Sequence, residues 1–213
     1  MSPRMTRKEK QAHTRKCLLH SAARVFAKRG MYGASVDDVA EDAGFSKGAV
    51  YANFKNKEDL FLAMVEERFA ERGVEMNRRI REEGEVVEQA QEAGMEFVEE
   101  LRRDPEWQRL FFEMCAYAGR NEEFRKQLVV RWHGLGKVIT GALEQRMGKM
   151  EGEHIVPYDH IAMMLFAMAN GFALEKLLSP EDVDDEVYGT MLTIFFLGLK
   201  ALSEQHEEAA AAA

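Results

Sequence analysis

Apolar side chains recur every three or four residues along most of the chain, which is the spacing of one face of an α-helix. The first such stretch covers about residues 8–29, with Leu18 and Phe26 on its apolar stripe, and Gly30 and Gly33 are expected to end it. No stretch alternates between apolar and polar residues for long enough to make a convincing strand. The pattern therefore predicts an all-α protein.

Two short helices are predicted next. Ser35 begins a capping-box pattern that closes at Asp38, and Gly44 should stop the helix that it opens. Ser46 can cap a third helix over residues 47–53. Only a few residues, one of them a glycine, join these two helices. This arrangement is typical of a helix-turn-helix, whose second helix is presented to the major groove of DNA.

Six further helices bring the predicted number to about nine, and glycines, prolines and polar loops separate them. We expect a three-helix head with a mobile basic arm at residues 1–10, the two together covering 1–60. A helical body should cover 61–208, and 209–213 should be a tail. The further helices are expected over about 57–81, 85–103, 105–119, 121–149, 157–178 and 184–205.

The last two predicted helices are apolar on more than one face, and a helix that is apolar nearly all round must be covered nearly all round. One face can pack on the body, and the other is expected to form a four-helix interface with a second copy of the chain. The alternative is that both helices lie in the core of a monomer. The residues expected at the dimer interface are Ile161, Leu165, Phe172, Met191, Ile194 and Gly198.

Charge is unevenly distributed along the chain. Residues 1–58 hold 12 Lys and Arg against 6 Asp and Glu, whereas the rest holds 17 against 31, and the total net charge is −8. A basic head on an acidic body can direct one end of the protein towards a polyanion such as nucleic acid. A solvated basic helix without a partner is the alternative.

Other functional classes find no support in the sequence. No G-x-S-x-G, P-loop, H-E-x-x-H or C-x-x-C motif occurs, so neither an enzyme nor a cofactor is expected. His154 and His160 lack the spacing of a zinc site, and no metal is expected. The longest apolar stretch, 161–174, has 14 residues and is too short to span a bilayer. Two cysteines and no apolar signal segment indicate the cytoplasm.

One dense motif lies between residues 30 and 60. It reads Gly30-x-x-x-x-Ser35-Val36-x-x-Val39-Ala40-x-x-Ala43-Gly44-Phe45-Ser46-Lys47-Gly48-x-Val50-Tyr51-x-Asn53-Phe54-x-x-Lys57-Glu58-x-Leu60. This motif closely resembles the DNA-binding head of TetR-family transcriptional repressors, and the match covers about residues 10–65. The rest of the chain agrees with the family in length and helical character.

The third helix is the one that should read DNA. Its outward arc carries Lys47, which can reach guanine O6 and N7, while Val50 and Phe54 are expected to point to the core. Tyr51 and Lys57 match the family's phosphate-contacting positions, so the resemblance implies that they fix the register on DNA. The residues expected to contact DNA are Ser35, Ser46, Lys47, Gly48, Ala49, Tyr51, Ala52, Asn53 and Lys57.

The resemblance also implies a small-molecule pocket among the helices of the body. The chain has 13 Met and 13 Phe, and such side chains adapt to varied apolar ligands. A Met-rich core without a cavity is the alternative. The residues expected to line the pocket are Phe111, Met114, Cys115, Tyr117, Trp132, His133, Met164, Met168 and Asn170.

The resemblance thus implies a ligand-responsive regulator. Its simplest form is a repressor that binds a palindromic operator in double-stranded DNA as a homodimer and is released by a small apolar or amphipathic molecule. Two recognition helices would lie in successive major grooves roughly 34 to 36 Å apart, and ligand would change that separation by tilting the fourth helix. A ligand-dependent activator and a helical protein-interaction module without a pocket remain alternatives. No membrane partner is expected.

Overall fold

Every regular element in the described part of the chain is a helix, which confirms the all-α prediction. The computed structural model describes residues 6–81, 84–147 and 156–211. Within these ranges the helices are α1 (Arg7–Gly33), α2 (Val36–Ala43), α3 (Lys47–Tyr51), α4 (Lys57–Arg81), α5 (Val86–Arg103), α6 (Pro105–Arg120), α7 (Glu122–Met147), α8 (Tyr158–Leu178) and α9 (Glu186–Ala211).

The first helix begins within the segment expected to be a mobile arm. The Oγ1 of Thr6 accepts a hydrogen bond from the backbone N–H of Glu9 at 3.3 Å, and the Glu9 carboxylate accepts one from the N–H of Thr6 at 2.6 Å. This capping box satisfies N–H groups that the first turn of a helix otherwise leaves free. The arm prediction is therefore wrong for residues 7–10, and residues 1–5 lie outside the described residues.

Gly30 bends α1 near its end. Its φ of 72° and ψ of 169° form a backbone conformation that essentially only glycine adopts. A Cβ at this position would lie 2.7 Å from Oε2 of Glu113 on α6. The same carboxylate accepts a hydrogen bond from the N–H of Tyr32 at 3.2 Å. Gly30 is predicted to end the helix, but it bends the helix instead. Helical structure continues to Gly33 before the chain turns into α2.

The described residues form two compact units. The first contains the described residues up to Ala70 together with Arg109–Arg131, so it joins α1–α3 to parts of α4, α6 and α7. Its core includes the rings of Phe26, Phe61 and Phe124, and the Phe26 and Phe61 centroids are 5.0 Å apart. The three helices of the head therefore pack within a unit that also contains later segments of the chain.

The second unit contains Glu71–Gln108 and the described residues from Trp132 onwards. In it α5 and α9 approach closely, because a glycine of each helix lies where they cross. A Cβ on Gly94 would lie 2.4 Å from the Cα of Gly189. Next to this crossing the buried ring of Tyr188 lies 4.7 Å from that of Phe97, measured between centroids, and burial raises the pKa of the Tyr188 phenol.

α8 is longer than the apolar stretch at its centre. The helix has 21 residues and, among the described residues, is the one helix that is long and apolar enough to cross a membrane. The core helix of a soluble protein passes the same test. Ile161, Leu165 and Phe172 on its inner side are covered by this chain's own residues. Its length and composition are therefore weak evidence for a membrane span.

Candidate nucleic-acid interface

The helix-turn-helix begins at Ser35, which caps α2 as its sequence predicts. The Ser35 Oγ accepts a hydrogen bond from the N–H of Asp38 at 3.1 Å, and the Asp38 carboxylate accepts one from the N–H of Ser35 at 2.8 Å. The Ser35 hydroxyl also donates to this carboxylate at 2.6 Å. The two bonds that the carboxylate accepts, from the Ser35 hydroxyl and the Ser35 N–H, lower the pKa of the Asp38 carboxyl, and the ion pair with Arg29 adds to this shift. The start of α2 is thus fixed by charge as well as by hydrogen bonds.

The turn between α2 and α3 is made by Gly44 and Ser46. Gly44 has a φ of 70° and ends α2 in the left-handed conformation, as predicted. Ser46 then caps α3 by accepting a hydrogen bond from the N–H of Ala49 at 3.2 Å. The observed α3 ends at Tyr51, two residues before the predicted end, and Ala52 follows it as the C-cap.

The inner side of α3 is anchored in the first unit. Val50 is 1% exposed and Phe54 is 2% exposed, which confirms that both point to the core. The Arg15 guanidinium lies 4.5 Å from the centre of the Phe54 ring, and its Nη1 donates to the backbone oxygen of Asn53 at 3.3 Å. Arg15 therefore holds the end of α3 against α1. Sequence analysis missed it because this contact joins residues 38 positions apart.

The outer side of α3 is open. Ser46, Lys47, Gly48, Tyr51 and Ala52 are exposed. Among the described residues, and apart from the backbone of its own helix, a Cβ on Gly48 would meet the Ser46 Oγ alone, at 3.7 Å, so another molecule can approach the backbone closely there. The Tyr51 side chain is half exposed.

Two of the predicted DNA-contacting residues are half-buried, namely Ala49 and Asn53. The Asn53 Nδ2 donates to the backbone oxygen of Ala49 at 2.8 Å. The Asn53 amide therefore also closes the last turn of the helix, besides any contact that it makes outside the chain.

Lys47, the long hydrogen-bond donor on the outer side, is paired with α2. Its Nζ lies 2.8 Å from Oδ2 of Asp37, and the two side chains are 57% and 61% exposed, respectively. The hydrogen bond to Asp37 raises the pKa of the Lys47 ammonium. The pair lies at the surface, where solvent or a ligand can reach both groups.

Lys57 has a place in the fold that its sequence position did not indicate. Its Nζ donates to the backbone oxygens of Met31 at 2.9 Å and Ala34 at 3.1 Å. An ammonium has three N–H donors, so two are used within the chain. Lys57 thus links the start of α4 to the corner between α1 and α2, and its third donor has no partner among the described residues.

The predicted pocket residues are distributed over both units. In the first unit Phe111 and Met114 are buried and Cys115 is exposed. The half-buried Tyr117 donates its hydroxyl proton to Glu58 and accepts a hydrogen bond from Asn121 at 3.0 Å. The bond to Glu58 raises the pKa of the Tyr117 phenol.

The other pocket candidates belong to the second unit. Trp132, Met168 and Asn170 are half-buried, while His133 and Met164 are exposed. The Trp132 ring packs on that of Phe166, with 5.0 Å between centroids. The assignment of these nine residues to one pocket stays a prediction.

Three of the six residues predicted at a dimer interface are covered within the single chain. Ile161, Leu165 and Phe172 are 1%, 9% and 4% exposed, respectively. Because they are already buried, they have almost no surface left to offer a second copy, and this part of the assignment needs correction. Ile194 is 67% exposed. Gly198 is exposed and Met191 half-buried, so the three predicted residues on α9 are not covered by the described part of the chain as those on α8 are.

No three His, Cys, Asp or Glu side chains are placed to hold a metal ion among residues 6–81, 84–147 and 156–211. His154, one of the two histidines considered for zinc, lies outside these ranges.

Comparison with known proteins gives matches along most of the chain. Residues 18–64 match the bacterial regulatory proteins of the tetR family, and residues 86–196 match the C-terminal domain of BetI-type transcriptional repressors. The HTH-type transcriptional regulator TtgR of Pseudomonas putida is 30% identical over 184 residues, which are 83% of this chain and 86% of that protein.

Solved structures share the fold. A TetR-family transcriptional regulator from Mesorhizobium loti has a TM-score of 0.73 at 19% identity, covering 92% of this chain and 98% of that one. The regulator FadR from Bacillus subtilis, in complex with stearoyl-CoA, has a TM-score of 0.65 at 19% identity, covering 84% and 95%. Together with the helix-turn-helix described above, these matches show that the chain belongs to the TetR family of DNA-binding transcriptional regulators, which are not enzymes.

Proposed function

We propose that this protein is a cytoplasmic, ligand-responsive repressor, which binds a palindromic operator as a homodimer and leaves it when a small apolar or amphipathic molecule binds the body. The surface of α3 carries this proposal, because buried Val50 and Phe54 anchor the helix while Lys47, Gly48 and Tyr51 are exposed together. The match of residues 86–196 to BetI-type repressors favours repression over activation.

Some residues on this surface would contact bases, and others would contact phosphates. Lys47 would donate to guanine O6 and N7, and the methyl groups of Ala49 and Ala52 would contact thymine methyls. Tyr51 and the remaining donor of Lys57 would bind phosphates, which fixes register without reading sequence.

The start of the motif would add further phosphate contacts. Ser35 and Ser46 each lie at the first turn of a helix and are exposed. The Ser46 hydroxyl can donate to a phosphate while it accepts from the helix backbone. The Ser35 hydroxyl donates to Asp38 at 2.6 Å, so Ser35 would bind a phosphate only by exchanging that bond. Asn53 would position the end of α3 through its hydrogen bond to Ala49.

The outward sides of α8 and α9 would form the dimer. Met163 and Leu178 on α8 are 60% and 68% exposed, and Ile194 and Leu202 on α9 are 67% and 48% exposed. Apolar side chains this exposed along two neighbouring helices favour burial against a second copy. A two-fold axis would then match the symmetry of a palindromic operator.

An effector with a long apolar part suits the body. The fold is shared with FadR from Bacillus subtilis, which was solved with stearoyl-CoA. Trp132, Met168 and Asn170 are half-buried in the second unit and combine apolar area with one amide. Release from DNA requires that the effector binds the conformation that does not fit the operator more tightly than the one that does.

Selection of bound duplexes from a random library, with purified protein at physiological salt, tests the DNA-binding part. We expect enrichment of a palindrome that binds one or more dimers, as measured by stoichiometric titration of the selected duplex. The same duplex then reports release by acyl-CoAs and other amphipathic molecules. Failure to enrich any sequence above the salt-dependent background would contradict the proposal.

A further inference from the structure

We propose that Asp37 is a specificity-determining residue: by holding the Lys47 ammonium, it suppresses binding to arbitrary DNA and directs Lys47 to a base. This inference rests on the proposed function, because it requires that the outer side of α3 enters the major groove. Asp37 is not among the residues expected to contact DNA, and its role would be exerted through Lys47.

The geometry separates Asp37 from the other acidic residues of α2. The capping of α2 is performed by Ser35 and Asp38, and Asp42 pairs with Arg24 on α1. The Asp37 carboxylate makes its contact with Lys47 alone within the described part of the chain, at 2.8 Å. The Asp37 side chain therefore takes no part in the cap, and its contact is with Lys47 on the outer side of α3.

The chemistry of an ammonium makes this pairing selective. Lys47 has three N–H donors, and the bond to Asp37 takes one, which leaves two for the O6 and N7 acceptors of a guanine. A lysine side chain is otherwise flexible, so fixing it beforehand lowers the entropy lost when it binds a base.

The same pairing penalises contacts with the DNA backbone. An unpaired lysine binds any phosphate and releases a counterion, which strengthens binding to every sequence alike. With Asp37 beside it, the pair has no net charge, and the carboxylate is repelled by nearby phosphates. Arbitrary DNA therefore gains little from Lys47, whereas a correctly placed guanine supplies two acceptors.

Asp37→Asn is the variant that tests this role. It removes the charge but keeps the size of the side chain and leaves the Ser35–Asp38 cap intact. Glu41→Gln is the matched control, because Glu41 is exposed on the same helix and its carboxylate makes no contact within the described ranges. Asp37→Glu keeps the charge and should retain most of the wild-type behaviour.

The measured quantities are the dissociation constants for the selected operator and for an unrelated duplex, each over a series of salt concentrations. For Asp37→Asn we expect tighter binding to the unrelated duplex, with a slope of log K against log salt that is steeper by about one. The specificity ratio, which is the dissociation constant for the unrelated duplex divided by that for the operator, should fall by roughly fivefold or more. Glu41→Gln should keep the wild-type ratio.

A second pair of proteins shows whether Asp37 acts through Lys47. In a Lys47→Ala background the further change Asp37→Asn should leave the ratio unaltered, because the residue that Asp37 holds is gone. An effect as large as in the wild type would show that Asp37 contacts DNA itself and would overturn the proposal. The proposal would also be overturned if Asp37→Asn alone left the ratio unchanged, or if Glu41→Gln lowered the ratio by the same factor.

These outcomes are distinct from a failure of the proposed function. If wild-type protein selects no operator, the DNA-binding proposal fails before Asp37 is tested, whereas the failures described above occur with an operator that the wild type binds. Thermal unfolding of all variants checks that the exposed substitutions leave the fold intact.

Discussion

The ammonium of Lys57 is a structural group as much as a candidate DNA contact. It donates to the backbone oxygens of Met31 and Ala34, two residues that are each 2% exposed. Carbonyls in such surroundings have little access to water, and a buried acceptor that loses its donor costs about 1 to 3 kcal/mol. The contact therefore links α4 to the corner from which the chain turns into α2.

Lys57→Met should therefore lower the free energy of unfolding by about 1 to 3 kcal/mol, because it removes the donor while keeping most of the apolar stem. Urea unfolding measures this change. Lys55→Met is the matched control, since Lys55 is exposed and its ammonium makes no contact in the described part of the chain. Equal stability of the two variants would show that the carbonyls do not need Lys57.

The contrast between Lys57 and Ser35 shows what sequence can predict for a residue. The cap at Ser35, the turn at Gly44 and the burial of Val50 follow from neighbours within four residues, and the structure confirms them. The contacts of Lys57 with Met31 and of Arg15 with Asn53 span 26 and 38 positions. Such contacts depend on how helices pack, which a local pattern does not contain.

At the scale of elements, α5 and α9 cross so closely that one added methyl group should destabilise the fold. A Cβ on Gly94 would lie 2.4 Å from the Cα of Gly189, a distance that real side chains essentially never show. The conflict is with backbone, which cannot rotate away as a side chain can. The two helices would have to move apart, and the aromatic packing of Phe97 on Tyr188 would be strained.

Gly94→Ala should accordingly destabilise the protein by about 1 to 3 kcal/mol, the usual cost of overpacking a core. Gly134→Ala on α7 is the control, because no described atom beyond the backbone of its own helix lies within 4 Å of the added Cβ, and alanine favours a helix more than glycine does. The control should be neutral or stabilising in the same chemical unfolding experiment. A neutral Gly94→Ala would mean that α5 and α9 do not cross this closely.

The ion pairs within α4 make the stability of the folded chain depend on pH. The hydrogen bond from Arg78, supported by Arg79, lowers the pKa of Glu75 to about 2. A carboxyl whose pKa is lower in the folded than in the unfolded chain stabilises the fold above about pH 4.5, and this contribution is lost as the pH falls towards about 2. Its size is limited, because the side chain is 39% exposed and solvent screens the pairs.

The stability difference between wild type and Glu75→Gln should therefore be constant above about pH 5 and shrink below about pH 4.5. Urea unfolding at pH 6 and pH 3 measures it. Glu71→Gln is the control, since Glu71 is exposed on the same helix and forms no ion pair within the described residues. A difference that is the same at both pH values would contradict the lowered pKa of Glu75.

Helix boundaries illustrate how far sequence prediction extends to elements. Caps and proline signals place most starts to within two residues, as Ser46 does for α3. Sequence does not predict, by contrast, which face of an apolar helix is covered by its own chain. α8 has two apolar stripes, and periodicity cannot decide between them because both satisfy the same spacing. The structure buries the stripe of Ile161 and Phe172 and exposes Met163 and Leu178.

For the molecule as a whole, this burial changes where the proposed dimer must form. Phe172 is 4% exposed, and its ring packs on Phe97 and Tyr188. A charge placed there would be buried without a partner and would destabilise the single chain, so its effect could not be attributed to an interface. A residue that tests association must be exposed in the monomer and apolar, and Ile194 on α9 satisfies both conditions.

Ile194→Glu should therefore convert the dimer into a folded monomer, because two negative charges would face each other across a two-fold axis while each monomer keeps its core. Sedimentation velocity measures the mass, and circular dichroism checks that the helices persist. Val74→Glu is the control, since Val74 is 72% exposed on α4 and lies outside the proposed interface, so this variant should stay dimeric. Dimeric Ile194→Glu would place the interface elsewhere, and a monomeric wild type at micromolar concentration would rule out this mode of operator binding. Because a monomer presents one recognition helix, Ile194→Glu should also lose most of its affinity for the palindrome but retain binding to a half-site.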